Sequence, residues 1–149
     1  RLVIMRSRVI RLGSLALGTL FVASSLVAVA PSAEAASPCP GKRVGLYQLY
    51  AGGEVADHFK HGQIEVWYSS AKGGTNCVLV RDNTPGKHKM MVEASISGRS
   101  SAGKDSGTYN YYAGPIRLTK TNGKCISVYA EVKSDGISYR RALNKKHCG

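Results

Sequence analysis

Apolar and polar residues alternate in short bursts along most of the chain. Ile64, Val66 and Tyr68 alternate with Glu65 and Trp67, and Met90, Val92, Ala94 and Ile96 alternate with Met91, Glu93, Ser95 and Ser97. A period of two sends successive side chains to opposite faces, so each run predicts a half-buried strand. Residues 44–50 predict a further strand, with Val44, Leu46 and Tyr50 on one face. Residues 77–81, the set Ile126, Val128 and Ala130, and residues 137–142 predict others. Turn signals separate them: Ala51-Gly52-Gly53, Ala71-Lys72-Gly73-Gly74, Asp82-Asn83-Thr84-Pro85-Gly86 and Ser134-Asp135-Gly136. Residues 98–107, rich in Ser, Gly and charge, predict an exposed loop. No amphipathic helix is visible after residue 36. About seven or eight short strands predict an all-β fold, a small antiparallel sandwich or barrel.

The stretch 109–125 carries the densest aromatic run. Tyr109, Tyr111 and Tyr112 favour an extended backbone, and Ala113-Gly114-Pro115 is expected to interrupt it as a corner. Ile116 and Leu118 resume the period of two, and Thr121-Asn122-Gly123 marks a turn before Cys125.

The first 35 residues read differently. Arg1, Arg6, Arg8 and Arg11 precede an uncharged apolar stretch over 12–30, and Ala33-Glu34-Ala35 supplies the small residues of a cleavage site. The pattern predicts a signal-peptide helix over 1–35, cleaved after Ala35, and a single β domain over 36–149. It leaves no stable membrane anchor after cleavage. Met5 followed by Arg6 makes a more ordinary translation start than Arg1.

Removing that leader changes the charge and gives the cysteines a setting. The net charge of +12 loses four arginines and Glu34, which leaves +9 on residues 36–149. All four cysteines, Cys39, Cys77, Cys125 and Cys148, lie in the exported part, where an oxidising medium favours disulfides. Their spacing holds no CxxC pair of the kind that binds zinc. Three pairings are possible. The one that ties each end of the domain to a strand start joins Cys39 to Cys77 and Cys125 to Cys148.

Candidate chemistry is sparse. His58, His61 and Glu65 are the nearest approach to a ligand cluster, but Gly53 and Gly62 flank the run and argue for solvated loop residues. No metal or cofactor is implied. A ribonuclease would need a glutamate base, a histidine acid and phosphate-binding arginines. Glu65 or Glu93, His88 or His147, and Arg81 or Arg140 are of the right types, yet no spacing assembles them. No serine occupies a nucleophile elbow, so no catalytic residue is assigned. Lys87 and Lys89 cluster after one turn, and Arg140, Arg141, Lys145 and Lys146 cluster near the end. These are candidate contacts to an anionic cell-wall or spore-surface polymer, while nucleic acid is not the expected partner. The same charges also serve solubility. An alternative function is protease inhibition through the 98–107 loop, with Arg99 or Lys104 as anchor.

Tyr112-Ala113-Gly114-Pro115-Ile116 resembles the corner of the spore-associated protein A family, small exported proteins of actinomycetes. Gly123-Lys124-Cys125-Ile126, Thr75-Asn76-Cys77-Val78, Pro38-Cys39-Pro40 and the His147-Cys148-Gly149 ending also resemble that family. The resemblance spans nearly all of residues 36–149 with four cysteines in step. This chain departs in Pro40 and in its richer lysine and arginine content. The resemblance implies a non-enzymatic protein of the spore or cell surface, and it brings no catalytic residues.

Overall fold

Alternation alone leaves strand partners open, and the pairing settles which faces are buried. The computed structural model describes residues 37–52, 61–99 and 102–149. The expected leader over 1–35 and His58 therefore lie outside the described residues. Eight strands follow in order: β1 Lys42–Gln48, β2 Gln63–Ser69, β3 Thr75–Arg81, β4 His88–Ile96, β5 Ala102–Tyr109, β6 Tyr112–Thr119, β7 Ile126–Ser134 and β8 Ile137–Lys146. They form two antiparallel four-stranded sheets, ordered β1-β2-β3-β6 and β5-β4-β7-β8. No helix occurs among the described residues, so the all-β expectation holds.

The two sheets pack face to face. Ile64 and Val66 of β2, Val78 and Val80 of β3, and Ala113 and Leu118 of β6 supply one side of the core. Met90, Val92, Ala94 and Ile96 of β4 and Ile126, Val128, Ala130 and Val132 of β7 supply the other. Each fully buried valine stabilises the fold by about 1.5–3 kcal/mol relative to exposure. The edges are tied at both sides. Tyr50 exchanges two backbone hydrogen bonds with Arg140, at 3.2 and 2.8 Å, which joins the end of the β1 segment to β8. Across the other edge, Asp105 of β5 accepts the Gly114 amide of β6 at 2.7 Å. The result is a sandwich partly closed toward a barrel.

Three local expectations are corrected. First, Val44 and Leu46 do not join the core: they are 44% and 38% exposed, whereas Leu49 is 1% exposed. A bulge between Arg43 and Gly45 shifts the register of β1 on β2, which reverses the face that simple alternation assigns. Second, much of the 98–107 segment is not a loop. Ala102–Tyr109 forms β5 and pairs with β4 along its length. The open edge of β4 overrides the weak strand propensity of its Gly and Ser residues. Third, Ala113-Gly114-Pro115 does not end a strand. It lies within β6, where a register shift opposite Val78 and Val80 absorbs the irregularity, and the chain turns earlier, at Asn110-Tyr111.

Both disulfides join the pairs expected, Cys39 with Cys77 and Cys125 with Cys148. Cys39, Cys77 and Leu79 form a second buried cluster with Trp67 and Tyr112 on the outer face of the first sheet. No cysteine is left free, which is consistent with an extracellular location.

Candidate functional site

The outer face of the second sheet gathers exposed charge in rows set by strand register. Lys89 of β4 lies directly opposite Thr108 of β5 and Lys133 of β7, and Lys133 lies opposite Ser138 of β8. The next row reads Ser106, Met91, Glu131 and Arg140, and the third reads Lys104, Glu93, Tyr129 and Ala142. Inward residues between these rows belong to the core, so the outward ones are held on a rigid plane. A groove of about 310 Å³ opens there, lined by Lys89, Met91, Ser106, Thr108, Glu131 and Lys133.

Glu131 moderates the positive field. Its carboxylate accepts the Tyr129 hydroxyl at 3.1 Å and the Ser138 hydroxyl at 2.9 Å, and Lys133 Nζ approaches to 3.8 Å. Burial pushes the Tyr129 phenol up, and the hydrogen bond and charge of Glu131 push it further, against a smaller opposing effect of Arg140. The phenol therefore stays neutral and donates.

The six basic residues singled out by sequence divide among different places. Lys87 and Lys89 sit at the start of β4, and both are exposed. Arg140 is exposed on the same outer face, one row further along. Lys145 and Lys146 belong to the opposite end, where Lys146 pairs with Ile126. Seven residues separate Lys89 from Ile96, the β4 residue of that far row, or ~23 Å at about 3.3 Å per residue. Arg141 is engaged inside the β1–β8 seam. Its guanidinium donates to the Gln48 carbonyl at 3.0 Å and the Tyr50 hydroxyl at 2.8 Å. It also lies over the Tyr47 and Tyr50 rings at 5.2 and 4.8 Å. Lys133 was missed. Its outward place on β7 follows from alternation, but its position opposite Lys89 depends on which strands pair.

Of the residues of catalytic type, Glu65 and Arg81 come together as an ion pair on the first sheet, while His88, Glu93 and Arg140 belong to the second. His88 Nδ1 bonds Asp82 Oδ2 at 2.5 Å, and His88 Nε2 lies 3.3 Å from Ser134 Oγ. The connectivity is that of a hydrolase triad, but Ser134 is only 3% exposed, so a substrate has no approach to it. Asp82 also accepts the Thr84 amide at 2.9 Å and the Thr84 hydroxyl at 2.6 Å, which makes the group a brace for the turn before β4.

Glu65 lies on the outer face of the first sheet. It accepts Arg81 Nε at 2.7 Å, Trp67 Nε1 at 3.0 Å and Gln63 Nε2 at 3.2 Å. Burial pushes its carboxyl up, yet those hydrogen bonds and the Arg81 charge together hold it below the usual value. Glu93 faces Lys104 on one side and Tyr129 on the other. His147 Nε2 bonds the Tyr47 hydroxyl at 2.9 Å. His61 stacks on Tyr139 with ring centroids 4.0 Å apart. No three metal-binding side chains converge among the described residues.

Of the proposed inhibitor loop, Arg99 stays in the β4–β5 connection, and Lys104 lies on β5. Comparison with protein-family models, curated proteins and solved structures finds no match for this chain.

Proposed function

We propose that the domain is an exported, non-enzymatic protein of the cell or spore surface that binds an anionic polymer across the outer face of its second sheet. The observation that carries this reading is the direct opposition of Lys89 and Lys133. Like charges placed opposite each other destabilise a sheet, and an anion laid between them removes that repulsion. Ser106 and Thr108 line the same groove and supply hydroxyls to a phosphate or carboxylate oxygen. The two disulfides support a protein working outside the cell. The buried Ser134 and the scattered histidines and glutamates support a binding role over a catalytic one.

The test is co-sedimentation of the oxidised domain with cell-wall particles bearing poly(glycerol phosphate), compared with particles stripped of it. Binding should weaken with added salt. It should be lost in a Lys89→Glu, Lys133→Glu double variant and retained when Lys145 and Lys146 are reversed in charge. Equal binding to stripped particles, or full binding by the Lys89 and Lys133 double variant, would refute the reading.

A further inference from the structure

The β6–β7 connection closes as a clasp on the turn that precedes β3. The Lys120, Thr121 and Asn122 amides donate to the Lys72, Gly74 and Gly73 carbonyls at 3.2, 3.1 and 3.1 Å. A Cβ on Gly74 would lie 2.3 Å from Asn122 Oδ1, so the close approach requires glycine there. The next amide, that of Gly123, leaves the clasp and donates to the Gly149 carbonyl at 2.7 Å. The Cys125–Cys148 disulfide holds the tail in the position that this bond needs.

Asn122 stands apart from the other asparagines of the chain. Of Asn76, Asn83, Asn110, Asn122 and Asn144, only Asn122 is followed by glycine. In an Asn-Gly pair no side chain shields the glycine nitrogen from the neighbouring carboxamide. Asn122 and Gly123 are both exposed, and nothing lies within 4 Å of where a Gly123 Cβ would stand. The two reacting groups are nevertheless tied to different partners. Tyr68 of β2 donates its hydroxyl to Asn122 Oδ1 at 2.5 Å, while the Gly123 N–H is held by the tail.

We propose that Asn122 is a deamidation site whose reaction is suppressed by the tail bond on Gly123. The Gly123 nitrogen gives up its proton and bonds to Asn122 Cγ. The Cγ–Nδ2 bond breaks, ammonia leaves with the proton, and a cyclic imide remains. Water then opens the ring, giving aspartate where the bond to Cγ is cut and isoaspartate where the bond to the main-chain carbonyl is cut. No electron changes hands, and water is the only co-reactant. A hydrogen-bonded amide releases its proton only when that bond opens, so the Gly149 carbonyl sets how often the nitrogen is available. The product is permanent: a carboxylate replaces the carboxamide against Tyr68, and isoaspartate adds a backbone carbon to the clasp. The turn thereby keeps a record of tail release.

The test is incubation of the oxidised protein in mildly alkaline buffer, with aspartate and isoaspartate at position 122 followed by peptide mass spectrometry. The reduced, urea-unfolded chain gives the reference rate, and the folded parent should be slower. Deleting Gly149 removes the acceptor and keeps both disulfides. It should raise the rate by a factor of about 2–10, the population shift expected when one backbone hydrogen bond is lost. The Cys125→Ser, Cys148→Ser variant should raise it at least as far, under conditions where near-UV circular dichroism shows it folded. The Cys39→Ser, Cys77→Ser variant loses a comparable global constraint but keeps the tail, so its rate should match the parent. A parent as fast as the unfolded chain overturns the proposal. So does an unchanged rate on deleting Gly149, or an equal acceleration in both cysteine variants.

Discussion

Lys89 and Lys133 stand directly opposite each other on β4 and β7, with the Glu131 carboxylate 3.8 Å from the Lys133 ammonium. The pair is a local cost placed on an otherwise regular sheet. Lys133→Thr should therefore leave stability unchanged or raise it by about 0.2–1 kcal/mol. The same change should weaken polymer binding and flatten its salt dependence. Urea unfolding and co-sedimentation on one preparation check both halves together.

Glu65 and Arg81 supply a prediction with a defined pH sign. The folded pKa of Glu65 lies below its ordinary value near 4.5. Its contribution to stability is thus full above that value and is lost as the pH falls through the lower folded value. Glu65→Gln should flatten this acid limb when urea midpoints are followed from neutral to low pH. Arg81→Leu leaves the carboxylate without its counter-ion. Because the Arg81 side chain is 27% exposed, the expected loss is about 1–3 kcal/mol, below the 3–5 of a fully buried pair.

The two disulfides should differ more in local than in global effect. They close separations of 38 and 23 residues, so each contributes roughly 3–4 kcal/mol through the unfolded chain. Replacing Cys125 and Cys148 by serine should additionally free the tail and speed exchange of the Gly123 amide, which donates to the Gly149 carbonyl at 2.7 Å. Replacing Cys39 and Cys77 should leave that amide protected. Exchange measured by NMR distinguishes the two.

Gly114 has a φ of 100°, and a Cβ there would lie 2.9 Å from the Val78 carbonyl oxygen. Gly114→Ala should cost about 1–3 kcal/mol and lower Tm by several degrees. Gly136→Ala is the control: its φ is also positive, at 78°, but no atom lies within 4 Å of the added carbon. Its smaller loss would isolate the steric share. Equal losses would mean that backbone strain alone explains Gly114.

The sequence by itself determined the fold class and most strand positions, and it favoured one of three cysteine pairings. Alternation on β4 and β7 is strong because each strand has one core face, and a period of two records that directly. The cysteines were legible in part: tying each end of the domain to a strand start favoured one pairing, and the fold selected it by bringing Cys39 to Cys77 and Cys125 to Cys148. Tertiary structure decided the rest. The β1 bulge reversed the buried face at Val44 and Leu46, since one inserted residue changes every later orientation. β5 exists because β4 offers it an edge, and no local preference of Gly103, Ser106 or Gly107 announces that. The corner at Gly114 became a bulged strand because Asp105 receives the amide that leaves the ladder. The candidate site depends on such a long-range choice, since Lys89 meets Lys133 across 44 residues of chain. Residue type is written locally, whereas the neighbours that give it a function are chosen by pairing and packing.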